Sequence, residues 1–168
     1  KVLVTGGLGF IGSNFILKLL NETNEFDIIN VDAELYGANQ KNLDSIKNHK
    51  KYEFVKGNIT NKRLMEELIS KCDVVVNFAA ESFVDRSIND ANPFLVSNIR
   101  GTFTILDIIT RQKKRMVQVS TDEVFGSLST GTADEQTKFN PSSPYAATKA
   151  AAELLINSFS VTFNPDVV

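Results

Sequence analysis

"VLVTGGLGFIG", residues 2–12, runs an apolar segment of strand length directly into three glycines spaced three apart, Gly6, Gly9 and Gly12. Glycine lets a chain turn at positive φ, and it lets backbone N–H groups come close to a ligand. The residues that follow, from Phe10 and Ile11 onward, carry helical period, so the turn sits at a helix N-terminus, where the dipole favours an anion. Two readings stand at this point: a tight strand-to-helix turn and nothing more, or a pyrophosphate cradle. Working outward, "DIINVD" (27–32) is a second apolar strand ending in Asp32, twenty residues past Gly12. A carboxylate there can accept from the ribose hydroxyls of a dinucleotide, and its charge repels a 2′-phosphate. The expected cofactor is therefore NAD rather than NADP, with a strand-end turn former as the alternative reading of Asp32.

The remainder of the chain alternates in the same way. Strands are expected near 1–5, 26–31, 52–56, 73–78 and 115–120, and helices near 10–22, 39–48, 61–71, 93–112 and 143–161. Thr60 or Asn61 can cap the third helix, and Pro93 and Pro144 suit first helical turns. This order predicts an α/β fold, a doubly wound parallel sheet of the Rossmann type, occupying 1–168 as one dinucleotide-binding domain. "GSLSTGTADEQTKFNPSSP" (126–144) is too long for a plain connection and is expected to be a functional loop. "NPDVV" (164–168) resembles the opening of a sixth strand, so a smaller C-terminal substrate domain is expected to be missing from this chain.

Composition narrows the partners. With 42% hydrophobic residues, 23% charged and a net charge of −2, the chain suits one globular domain. Its basic runs, "KNHKK" and "RQKKR", are too short to make nucleic acid the main partner. No apolar segment reaches the ~20 residues of a membrane span, and the N-terminus lacks a secretory signal, so the expectation is a cytoplasmic protein. Cys72 is the only cysteine, which excludes an internal disulfide and a zinc site built on cysteine pairs. No residue is assigned to a metal, and the lone His49 lies in a charged run.

Two further stretches carry chemistry. "PYAATKAAAE" (144–153) sets Tyr145 and Lys149 four residues apart on one helix face, where an ammonium is expected to lower the phenol's pKa and make Tyr145 a base. "VSTDEVFG" (119–126) places Asp122 beside Glu123 just where the fifth strand stops. Like charges repel, so a plain turn has no use for both; one alternative is a capping box from Ser120 to Glu123.

With these residues in view, the chain resembles the extended short-chain dehydrogenase/reductases. The glycine spacing, the Tyr145/Lys149 pair and Thr121 after the fifth strand carry that resemblance. "VTGGLGFIGSNF", "AAESFVDRSI", "VSTDEVFGS" and "NPSSPYAATKAA" sharpen it to the nucleotide-sugar 4,6-dehydratases that act on dTDP-glucose. Relatives that only epimerise or oxidise generally lack the two acids. The resemblance implies an NAD-dependent lyase in which Tyr145 removes the C4 hydroxyl proton, Glu123 takes the C5 proton and Asp122 protonates the departing C6 hydroxyl. Lys149 and Thr121 assist, the latter at the C4 oxygen of the substrate. The same resemblance puts Phe10 and Ile11 under the pyrophosphate, and Asp32, Ala33, Glu34 and Leu35 around the adenosine ribose. Asn58 and Ile59 fall near the adenine, and Phe78, Ala79 and Ala80 on the nicotinamide side. Ser97 stands where a Thr is usual, and Ser82 touches the sugar.

The chain departs from the pattern at Asn58 (usually Asp), Phe83 (usually His) and Phe125 (usually Tyr). Rival readings are a 4-epimerase, a dehydratase acting on a UDP or GDP sugar, and a module that holds NAD without turnover. A homodimer is expected through the two long helices, with Phe103, Leu106, Leu154 and Leu155 as seam or core.

Overall fold

Five parallel strands form one sheet in the order β3-β2-β1-β4-β5. They are β1 Val2–Thr5, β2 Ile28–Asp32, β3 Tyr52–Lys56, β4 Val74–Asn77 and β5 Arg115–Gln118. This computed structural model describes residues 1–23, 25–128 and 130–168. β1 and β2 are buried along their whole length, which is why they read as mainly apolar runs, interrupted in β2 by Asn30: helices cover both faces of the sheet.

On one face Ile16 and Leu20 of α1 (Phe10–Glu22), with Leu43 and Ile46 of a 3-10 turn (Gln40–Ile46), pack over Val2, Val4 and Ile28. On the other, Met65, Leu68 and Ile69 of α2 (Lys62–Ser70) and Ile105 and Ile109 of α5 (Thr102–Gln112) pack over Leu3, Ile29 and Val75. Leu3 is fully buried, so truncating it to alanine costs about 2–5 kcal/mol. Leu106 is equally buried and belongs to this core, which removes it from any surface seam. Cys72 lies in the same core, where burial pushes its thiol up to about 11.

The chain winds outward from β1 to β2 and β3, then crosses back to β4 on the other side of β1. That reversal leaves a crevice at the carboxyl ends of β1 and β4, the place where open α/β sheets bind ligands.

Local structure differs from the sequence expectation at three points. The segment expected as a helix over 39–48 is a 3-10 turn, tightened at its start by Asn39, whose side chain accepts from Lys41 N–H at 3.1 Å. The helix expected over 93–112 is three joined pieces: α4 Asn92–Phe94, a π-helical stretch Leu95–Gly101, and α5. A short helix, α3 Val84–Asn89, was not expected, because its six residues carry no apolar stripe. Of the two cap candidates Asn61 serves, accepting from Leu64 N–H at 3.2 Å, and Pro93 and Pro144 stand in first turns as expected; Ser143, not foreseen, caps α6 (Pro144–Phe163) by accepting from Ala146 N–H at 3.1 Å. β4 and β5 end sooner than expected, and the residues past them, Phe78–Ala80 and Val119 with Ser120, leave the sheet to form crevice walls. At the far end, Val167 bridges Met116 of β5 in parallel.

Candidate active site

A cavity of about 400 Å³ opens at the crevice. Its floor is the glycine turn. Gly6 has φ +69°, and a Cβ there would lie 2.6 Å from Ala79 N; one on Gly12 would lie 2.5 Å from the Gly6 carbonyl. Only glycine fits where β1, α1 and the exit of β4 converge. α1 has no side-chain cap and no acid in its first turn, so its N-terminal N–H groups and dipole face the cavity uncompensated, as an anion site requires. Phe10 and Ile11 stand exposed at this end.

Asp32 is buried at the end of β2 and acts there as a turn former. One carboxylate oxygen accepts from Leu8 N–H of the glycine turn at 2.9 Å, the other from Glu34 N–H at 2.8 Å. It thereby locks the turn to the end of β2 while lining the cavity. Asn30, one turn of the pleat earlier, does the same for Gly7 N–H at 3.1 Å, steadied by the Tyr52 hydroxyl.

Of the residues expected to hold a dinucleotide, Gly6, Gly9, Phe10, Ile11, Gly12, Asp32, Ala33, Leu35, Asn58, Ile59, Phe78, Ala79, Ala80, Ser97, Tyr145 and Lys149 line this one cavity. Ser82, expected to touch a sugar, lines it as well. Glu34 does not: at φ +55° it turns to Lys56 and Gln40, which pair with its carboxylate and lower its pKa. The Asn58 side-chain Oδ1 already accepts from Thr60 N–H at 2.9 Å and from the Thr60 hydroxyl at 2.8 Å, so it is engaged in its own turn.

The chemistry-bearing groups gather at the end of β5. Asp122–Phe125 form a single 3-10 turn capped by Thr121, whose hydroxyl accepts from Glu123 N–H at 3.3 Å. Ser120 is not the cap; it donates to Glu153 instead. The Thr121 hydroxyl and both acids act on the Tyr145 phenol, the hydroxyl favouring its ionised form and the two carboxylates opposing it. Asp122 is exposed and Glu123 half-buried, so the two carboxylates stand in unequal surroundings. None of Thr121, Asp122 and Glu123 lines the cavity itself; they flank it through Tyr145.

One electrostatic expectation is corrected. Lys149 does not lower the Tyr145 phenol: its ammonium donates to the Val119 carbonyl at 2.6 Å. Burial chiefly, then Glu123 and Asp122, push the phenol up, against a lowering by Thr121. Lys149 itself is 5% exposed, and desolvation brings it down to about 8.

Several supporting residues escaped the sequence reading. Asn98, on the π stretch, holds the Glu81 backbone and the Thr148 hydroxyl, and Thr148 donates to the Tyr145 carbonyl. π-helical turns inside helices often mark functional sites. Asn77 bridges Thr5 and Gln118 across the strand ends. The signal available in the sequence was a polar residue inside an apolar run. At the cavity mouth the Tyr36 and Phe83 rings meet edge-on at 4.9 Å, and the Arg86 guanidinium covers Tyr36 at 4.0 Å.

The family model described as GDP-mannose 4,6 dehydratase matches residues 3–168. The chain belongs to this dehydratase family. Among relatives of the family, a low-salt glycan biosynthesis protein, Agl12, of Haloferax volcanii is 44% identical over 96% of this chain and 52% of its own length. The dTDP-glucose 4,6-dehydratase of Mycolicibacterium smegmatis is 43% identical over 95% of this chain and 48% of its own. The dTDP-glucose 4,6-dehydratase of Bacillus anthracis, solved in complex with NAD, superposes with a TM-score of 0.90 at 44% identity, over 99% of this chain and 52% of that one. The chain thus spans about half the length of the dehydratases it matches. No described helix is long and apolar enough to cross a membrane.

Proposed function

We propose that the protein is an NAD-dependent nucleotide-sugar 4,6-dehydratase that converts dTDP-glucose to its 4-keto-6-deoxy product. The observation that carries this is the Thr121–Glu123 turn beside Tyr145: two carboxylates in unequal surroundings next to one buried phenol. The two dTDP-glucose dehydratases at 43–44% identity support the choice of substrate. The bound NAD of the solved relative supports the cofactor.

The cleft fits that cofactor on its own terms. Gly6 and Gly12 leave no room for a Cβ beside the helix N-terminus, and Asp32 presents a buried carboxylate at the adenosine side. NAD held by these residues would supply the hydride acceptor for C4 and the hydride donor to C6. Tyr145 then removes the C4 hydroxyl proton, with Thr121 on the same oxygen. Glu123 takes the C5 proton, acidified by the neighbouring ketone, and Asp122 delivers a proton to the departing C6 hydroxyl. Elimination needs an acid and a base over adjacent carbons, and two carboxyl groups divide that work when their environments differ. Lys149 orients the ribose and fixes the exit of β5 from beneath.

A cytoplasmic homodimer, with a further substrate-binding domain beyond 1–168, belongs to the same reading. Phe103 and Leu154 are exposed on the two long helices and support the seam.

The test is the product formed from dTDP-glucose by the complete protein. A 4-keto-6-deoxy sugar is expected; a C4 epimer overturns the dehydratase reading, and NAD binding without turnover leaves only a cofactor-holding module. Glu123→Gln should permit the first oxidation and block loss of water, so reduced cofactor accumulates. Tyr145→Phe should prevent even that.

A further inference from the structure

Tyr145, Lys149 and Glu153 follow at four-residue spacing along α6 and share one stripe of that helix. Two of them reach the exit of β5, and they reach adjacent residues. Lys149 donates to the Val119 carbonyl at 2.6 Å, and the Ser120 hydroxyl donates to the Glu153 carboxylate. The next residue is Thr121, which caps the acid-bearing turn and favours the ionised form of the Tyr145 phenol. The segment leading into that turn is therefore fastened at two successive positions to the helix that carries Tyr145.

We propose that Glu153 is a positioning residue of the proposed active site, holding Ser120 and through it the start of the Thr121–Glu123 turn against Tyr145. The inference rests on the dehydratase reading, since that reading gives the turn its work. The geometry distinguishes Glu153 from an ordinary surface acid. It is half-buried, it lines with Ser120 a separate hollow of about 210 Å³ behind the turn, and Lys149 gives its short bond to a carbonyl rather than to Glu153. Glu153 touches neither the cofactor cleft nor the candidate reacting groups, so it acts through its neighbours.

A second, electrostatic effect follows from the same place. Burial draws Lys149 down to about 8, and among the described residues Glu153 is the one charge that opposes this. On the elements packed against α6, Arg86 is taken by Glu81, Asp107 by Lys62 and Arg111, and Arg115 by Asp166. Asp122 and Glu123 act on Tyr145, and Asp85 of α3 and Arg100 of the π stretch are the remaining charged groups on these elements.

The experiment compares the complete protein with Ser120→Ala, Glu153→Ala and Glu153→Gln. Ser120→Ala and Glu153→Ala should lower kcat by about ten- to a hundredfold, the scale of a displaced reacting group, and Glu153→Ala, outside the cofactor cleft, should leave NAD affinity unchanged. Glu153→Gln keeps an acceptor for Ser120 and should keep most of kcat at neutral pH, while the alkaline limb of its pH profile moves to lower pH. A turnover-independent readout is phenolate absorbance on alkaline titration, with Tyr145→Phe as the blank. Losing the placement of Thr121 should move the Tyr145 titration upward in Ser120→Ala and Glu153→Ala. If the variants match the parent in kcat, alkaline limb and phenol titration, Glu153 positions nothing. A parent that binds NAD yet forms no 4-keto-6-deoxy product sinks the functional reading alone, and the phenol titration then decides the role of Glu153.

Discussion

Asn98 and Glu81 hold each other by two reciprocal hydrogen bonds: Glu81 N–H donates to Asn98 Oδ1 at 2.9 Å, and Asn98 Nδ2 donates to the Glu81 carbonyl at 3.0 Å. The same amide nitrogen reaches the Thr148 hydroxyl at 2.9 Å. One buried side chain thus ties the loop after β4, the π stretch and α6 together, and with them two walls of the cleft. Asn98→Ala should cost about 2–4 kcal/mol, because buried backbone and hydroxyl groups lose their partners. Asn98→Asp, which keeps the acceptor and loses the donor, should fall between. Urea-unfolding midpoints check the order.

The glycine turn gives a sharper contrast. Gly12→Ala would set a Cβ 2.5 Å from the Gly6 carbonyl and 2.9 Å from Gly7 Cα, backbone atoms that cannot swing aside. It should cost about 1–3 kcal/mol of stability and abolish dinucleotide binding. Gly131→Ala meets nothing within 4 Å and is strained only by φ +80°, a matter of about 1–2 kcal/mol with binding retained. Calorimetric titration with NAD separates the two.

Asp32 holds the glycine turn and lines the cavity, and two substitutions separate that structural duty from the cofactor recognition proposed for it. Asp32→Ala strips the acceptors from Leu8 and Glu34 N–H, which should cost about 1–3 kcal/mol and weaken NAD and NADP together. Asp32→Asn keeps one acceptor and removes the charge, so its loss should be mainly of discrimination. NADP affinity should rise relative to NAD. An unchanged ratio would leave Asp32 only its structural duty.

What could be read in advance follows from burial. β1 and β2 are covered on both faces, so their apolar runs were unambiguous, and the glycine spacing and Asp32 came with them. α3 was missed because six residues bracketed by loops show no stripe. The π stretch was missed because Leu95–Gly101 has an ordinary helical composition. Asn30, Asn77 and Asn98 act through long-range partners that no local pattern reveals. The same is true of Tyr145: spacing on a helix brought Lys149 near it, but the Val119 carbonyl, from another element, claims the ammonium.

Lys149 ties stability to pH in a way that can be measured directly. Burial brings its ammonium from the ordinary 10.5 to about 8. Below about pH 8 both the folded and the unfolded chain carry the proton, and the folded state bears the full cost of a buried cation. Between about 8 and 10.5 the unfolded chain binds more protons, so this group's contribution makes stability rise with pH. The full rise is on the order of 3 kcal/mol. Lys149→Met replaces the cation with an apolar chain of similar length, so it should be more stable than the parent at neutral pH and lack the alkaline rise, while losing activity. Other lysines and tyrosines titrate in the same range in both proteins, and subtracting the two urea-unfolding curves across that range isolates the one group. Parallel curves would mean that Lys149 is not desolvated, and its bond to Val119 would then be an exposed contact of little energetic consequence.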